Sequence, residues 1–217
     1  MTWGSMVSIS SVFLGAQLLL VILAVLWEQL WAMLGMEYSP VSGVSTDSWS
    51  MFLYVGLGAP IAEEILFRGL VLRSLQPCGK KFAILASALL FGFFHGSFLQ
   101  GLFACMVGVI LGYVAMEFNI LWAMVLHMLN NLILSDALPR IGKLLGVGDM
   151  LTWLAVLLAA VIGVVVLIVR RKRIGAYLWN KQNDPLCWQA FFTAPGILIF
   201  LALMAFSAAL LEKQAIN

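Results

Sequence analysis

The sequence predicts an all-α fold, a polytopic transmembrane helical bundle of about seven to eight helices around an intramembrane polar cavity. Three observations predict it. Hydrophobic residues make up 63% of the 217-residue chain and charged residues only 10%, against roughly 25% charged residues in an average soluble domain. Mean hydropathy is +1.05, and apolar runs of about 20 residues, long enough to cross a bilayer, recur from end to end. Yet three polar clusters sit inside those runs: Glu63-Glu64 with Arg68, Phe91 with His95, and His127 with Asn131. The whole chain, 1–217, reads as one transmembrane domain with a motif-bearing core over about 50–137.

Taken in order, spans are expected at about 7–27, 50–73, 82–99, 102–117, 120–137, 149–169 and 190–211. The first lacks a basic leading region and a small-residue cleavage site, so it reads as a retained span and not a removed signal. The stretch from Gly35 to Ser48 holds Pro40, Gly43 and several hydroxyl residues, which is loop chemistry, and it carries Glu37 and Asp47 but no lysine or arginine. It is expected to face outward. Alternate counting then sets Arg73, Lys80, Lys81, Arg170, Arg171, Lys172, Arg173 and Lys181 on one side against Arg140, Lys143 and Lys213 on the other. Eight against three places the first group in the cytoplasm. The mixed basic and aromatic stretch from Arg170 to Cys187 suits an interfacial helix or a loop at anionic headgroups. No internal repeat is evident.

Charge and cysteine content exclude other classes. The net charge is only +2, with basic residues at span ends, so no nucleic-acid partner is expected. Cys78, Cys105 and Cys187 are odd in number and widely spaced; apolar filling is the expected role, with neither a disulfide framework nor a thiolate metal site indicated.

The polar clusters then become the question, because an ionisable group at the bilayer centre costs about 3 kcal/mol on insertion scales and persists mainly where it pairs or lines a cavity. In the second span Glu64 and Arg68 stand four apart on one helix face, where a buried ion pair can hold both. Glu63 points about 100° away and is the freer carboxylate, a split typical of acid/base assignment. His95 ends the third span, with Phe91, Phe93, Phe94 and Phe98 expected around it and Gly92 and Gly96 permitting close helix approach. In the fifth span His127, Asn130 and Asn131 share a face, and Asn131, four residues on, is expected to stack best with His127. A glutamate and a histidine can activate water while a second histidine and an amide hold an oxyanion, an inventory that fits amide hydrolysis. Zinc is the alternative: Glu63, His95 and His127 are also a zinc ligand set with an open fourth position. No His-Glu-x-x-His occurs, and asparagine is a poor zinc ligand.

Glu63-Glu64-Ile-Leu-Phe-Arg68-Gly69, Phe91-Gly-Phe-Phe-His95-Gly96 and His127-Met-Leu-Asn-Asn131, in this order, resemble the three motifs of the CPBP family, the type II CAAX prenyl proteases and their bacterial relatives. The resemblance covers roughly Pro60 to Asn131. It implies an all-helical intramembrane endopeptidase in which Glu63 and His95 activate water, while His127 and Asn131 stabilise the oxyanion or complete the site. Glu64, Arg68 and Phe91 support them. Members carry both a metalloprotease label and a metal-free, glutamate-dependent mechanism; the metal-free form is favoured here, with no cofactor. The resemblance implies a peptide or lipidated protein substrate at the lipid bilayer, and the short loops suggest a multi-pass protein of a bacterial plasma membrane. A non-catalytic immunity factor or scaffold that binds a partner through the same cavity is the second reading. A proton-relaying transporter is the third.

Overall fold

A computed structural model describes residues 3–36, 48–179 and 185–216, and among them every regular element is helical. The helices are α1 (Trp3–Met33), α2 (49–78), α3 (Lys80–Phe94), α4 (Phe98–Glu117), α5 (Ile120–Leu144), α6 (Met150–Trp179), α7 (Pro185–Thr193) and α8 (Pro195–Ile216). Each of the seven expected spans has its helix. Four helices, α1, α4, α5 and α6, are individually long and apolar enough to cross a membrane, and α7 with α8 would make a fifth. The expected span over 190–211 is broken, because Pro195 cannot supply the N–H that a continuous helix needs at that point, and the chain bends by 62° between α7 and α8. The third expected span is short: the 15 residues of α3 rise only about 22 Å before Gly96, at φ 68°, turns the chain toward α4. The expected loop over 35–48 lies mostly outside the described residues, as does Lys181. The basic stretch 170–173 continues α6 as helix to Trp179.

Helix starts follow local chemistry. Ser97 and Asn119 sit in extended backbone just before α4 and α5, and their side chains accept from the N–H groups of Gln100 and Trp122. Helix α2 is irregular, with π-helical turns at Tyr54–Gly58 and Ile65–Val71 flanking the regular turn Ala59–Glu64. Another π-helical stretch, Asn130–Ala137, follows His127 in α5. Such turns widen the backbone ladder and are frequent at functional sites.

Packing relies on small residues, as expected where lipid removes the usual hydrophobic drive between helices. Helices α1 and α6 meet so closely at Gly15 that an added Cβ would lie 2.8 Å from the Ala160 Cα. One buried cluster joins α1, α4 and α5 through Phe13, Leu111, Val114, Ala123 and Leu126, and another joins α2, α3, α4 and α7 through Phe67, Phe82, Phe91, Ala104 and Phe191. Leu158, Val164, Val165 and Val169 leave one side of α6 apolar and exposed, the surface a lipid-facing helix presents.

The expectation for the cysteines is corrected. Cys78, at the end of α2, and Cys187, on α7, form a disulfide, and Cys105 alone keeps its thiol. The partners are 109 residues apart in sequence, and only the docking of α7 beside the α2–α3 turn brings them together.

Candidate active site

The site grows from the regular turn of α2. Glu64 and Arg68 are fully buried, and Arg68 Nη1 donates to Glu64 Oε1 at 2.9 Å. The guanidinium is held twice more: Nη2 donates to the Gly108 carbonyl of α4 at 3.2 Å, and Cζ lies 4.3 Å from the Phe91 ring centroid. Gly108 makes room for this, since an added Cβ would lie 3.2 Å from Nη2. The same Glu64 oxygen accepts from His127 Nδ1 at 2.9 Å, so Glu64 orients the imidazole as a carboxylate orients a catalytic or ligating histidine. Oε2 of Glu64 and Nε of Arg68 are buried with no hydrogen-bond partner among the described residues.

With Nδ1 committed, His127 presents Nε2, which faces Glu63 Oε2 across 3.7 Å. That separation is beyond hydrogen-bond range. Glu63 has a side chain 21% exposed against 0% for Glu64, so the two adjacent carboxylates occupy different environments, as their spacing from Arg68 predicts. His95 closes α3, half-buried, with its Nδ1 donating to the Phe91 carbonyl at 2.8 Å. A carbonyl only accepts, so this bond fixes the proton of the neutral ring on Nδ1 and leaves Nε2 as the acceptor. Phe91 is the hub: its ring meets His95 edge-on at 4.7 Å and His127 at 5.8 Å while carrying Arg68 on its face. Of the other expected aromatic neighbours, Phe94 reaches His95 at 6.3 Å, whereas Phe98 stacks on Trp27.

Asn131 makes its polar contacts with its neighbour Asn130 and with α2. Its Nδ2 donates to the Val55 carbonyl of α2 at 3.0 Å. The reason lies in α2. The Ala59 N–H goes to the Tyr54 carbonyl in a π-type bond, and the next residue, Pro60, has no N–H, so the Val55 carbonyl is left for a side chain to satisfy. Asn131 Oδ1 accepts from Asn130 Nδ2 at 3.1 Å, and Asn130 Oδ1 accepts from Gln17 Nε2 of α1 at 2.8 Å. The motifs do not single out Asn130 and Gln17 as site residues. Gln17 carries one signal, an amide in an otherwise apolar run.

A cavity of about 380 Å³ opens between α3, α4 and α8. Its apolar lining includes Leu89, Gly92, Phe93, Gly96, Leu102 and Met204, among them the turn that bears His95. Among the described residues no group of three histidine, cysteine, aspartate or glutamate side chains is arranged to hold a metal ion, the alternative zinc set of Glu63, His95 and His127 included.

The fold and these contacts define a multi-pass membrane protein whose buried helices converge on a Glu–Arg–His cluster with a second, partly exposed glutamate beside it. Residues 45–133, which span α2 to the first part of the π-helical stretch of α5, match the family described as type II CAAX prenyl endopeptidase Rce1-like. This segment, which carries all three polar motifs, is similar to the CPBP/CAAX intramembrane proteases. No curated protein and no solved structure matches the chain.

Proposed function

We propose that the chain is a CAAX-type intramembrane endopeptidase that hydrolyses a peptide bond of a membrane-associated peptide or protein, lipidated or not. The observation that carries this reading is the split of two adjacent glutamates: Glu64 is consumed by Arg68 and His127, while Glu63 stands 3.7 Å from the presented nitrogen of His127, too far to bond it. In this reading Glu63 takes a proton from a water that also hydrogen-bonds His95 Nε2. The hydroxide so formed adds to the scissile carbonyl carbon, and the carbonyl π pair moves onto oxygen. His127, in its imidazolium form, donates through Nε2 to that oxyanion while Glu64 holds Nδ1, and the second Nδ2 hydrogen of Asn131 donates beside it. Collapse expels the amine, which leaves with the proton that Glu63 took. The apolar cavity at the His95 turn supports an aliphatic or lipid group on the substrate. Glu63, His95, His127 and Asn131 act on the reacting atoms; Glu64, Arg68 and Phe91 position them. No cofactor is required, and zinc is the alternative the test must address. We place the protein in a bacterial plasma membrane.

The test is mass spectrometry of lipidated and unlipidated membrane peptides incubated with the wild type and with Glu63→Gln, each with and without a chelator. Cleavage by the wild type alone, surviving the chelator, is expected. Loss in the chelator would transfer the role of Glu63, His95 and His127 to metal binding. Equal cleavage by Glu63→Gln would overturn the reading, and cellular activity that persists in that variant would assign the cavity to partner binding.

A further inference from the structure

Gln17 lies outside residues 45–133 and on α1, which carries none of the three motifs. An amide midway along an apolar helix is costly unless it is paired. Its pairing builds a series: Gln17 Nε2 donates to Asn130 Oδ1 at 2.8 Å, Asn130 Nδ2 donates to Asn131 Oδ1 at 3.1 Å, and Asn131 Nδ2 donates to the Val55 carbonyl at 3.0 Å. The direction of this series is dictated from the far end. The Val55 carbonyl can only accept, so the NH2 group of Asn131 must face it. Asn131 Oδ1 must then face Asn130, the NH2 group of Asn130 must face Asn131, and Asn130 Oδ1 is left facing α1, where only a donor completes the series. Reversing any one amide sets two oxygens, or two NH2 groups, against each other.

We infer that Gln17 is a positioning residue: by donating to Asn130 it locks the Asn130–Asn131 pair in the orientation that leaves one Nδ2 hydrogen of Asn131 for the substrate. This rests on the endopeptidase reading above. Gln17 touches no reacting atom and acts only through Asn131, so its effect must vanish when Asn131 is gone. Methionine at 17 keeps the length and bulk of the side chain and removes the donor.

The experiment is a double-variant cycle on the full chain, Gln17→Met and Asn131→Ala, singly and together, read by the kcat and KM of peptide cleavage and by thermal melting, with Glu63→Gln as the inactive control. Asn131→Ala is expected to lower kcat about 100-fold, the scale of a lost oxyanion donor. Gln17→Met alone is expected to lower kcat about five- to tenfold with KM within about twofold, and to change kcat less than about twofold in the Asn131→Ala background, the mark of residues that act as a unit. Multiplicative losses, a rise in KM at constant kcat, or no loss at all would overturn the inference while leaving the endopeptidase intact. Absence of wild-type cleavage would instead overturn the endopeptidase reading. The melting cycle then decides the amide series by itself: non-additive shifts uphold it, and additive shifts refute it.

Discussion

Replacing Arg68 by methionine removes the cation that sits against a carboxylate with no exposed surface. At 2.9 Å and an effective dielectric near 20, the gross attraction between the pair is about 6 kcal/mol, much of it offset by the desolvation of both ions. Removing one partner forfeits the attraction and keeps the desolvation of the other, which costs about 3–5 kcal/mol. Loss of the bond to the Gly108 carbonyl and of the stacking on Phe91 acts in the same direction. For a chain of this size 1 kcal/mol moves the melting midpoint about 2–4 °C, so Arg68→Met is expected to melt about 6–20 °C below wild type in detergent. His127 remains as a partner of Glu64, which favours the lower half of that range. Adding Glu64→Gln to Arg68→Met removes the stranded charge and should recover part of the loss. Glu63→Gln, by contrast, should melt close to wild type, because its partly exposed carboxylate faces His127 only across 3.7 Å. Arg68→Met melting with wild type, or Glu63→Gln melting as low as Arg68→Met, would refute the division of labour between the two glutamates.

Two further outcomes follow from the same geometry. Pro60→Ala supplies a backbone N–H able to bond the Val55 carbonyl, competing with Asn131 for it; kcat should fall severalfold while stability stays within about 1–2 kcal/mol, since the new bond offsets the packing that a buried proline ring provides, and an unchanged kcat would disconnect Val55 from the site. The Cys78–Cys187 bond closes a separation of 109 residues, for which loop entropy sets a ceiling near about 4.7 kcal/mol, lowered here because membrane insertion already confines the unfolded chain; reductant should reduce the melting midpoint of the wild type and leave Cys78→Ser/Cys187→Ser unaffected, and equal sensitivity of the two would refute a stabilising role.

Much of the site is legible in the sequence because its residues contradict their surroundings. Glu63, Glu64, Arg68, His95 and His127 are polar in apolar runs, and the spacing of Arg68 from Glu64 is enough to say which glutamate is neutralised. The helices are legible for the complementary reason, since span length is set by bilayer thickness. What is not legible depends on pairings between distant segments or on departures from the regular helix. The Gln17–Asn130 bond spans 113 residues, and nothing local to Gln17 indicates its partner. The cysteine pairing depends on α7 folding back beside the α2–α3 turn. Counting four residues along a helix puts Asn131 on the His127 face but does not show that its amide bonds the Val55 carbonyl of α2, 76 residues away. The break at Pro195 does have a sequence signal, a proline inside an apolar run, which run length alone overrides.

The irregularity of α2 and the polarity of the site have a common origin. A regular helix satisfies its own carbonyls and offers a neighbouring helix nothing to bind except side chains. Pro60 and the π-helical turn before it leave the Val55 carbonyl to Asn131 of α5, and Ser87 of α3 adds a bond of 2.7 Å to the Phe67 carbonyl, which also accepts from the Leu72 N–H. Each such bond fixes α2 in rotation and depth against the helix that supplies the donor. Those helices also carry His127 and, at the end of α3, His95. The defects in α2 therefore set the register in which its two glutamates meet the histidines: slip α2 by one residue against α5, and Arg68 and His127 would no longer converge on the same carboxylate. In hydrocarbon, where apolar contacts discriminate poorly between one rotation of a helix and the next, an orphaned carbonyl that only one side chain can reach is a stronger determinant of register than packing alone.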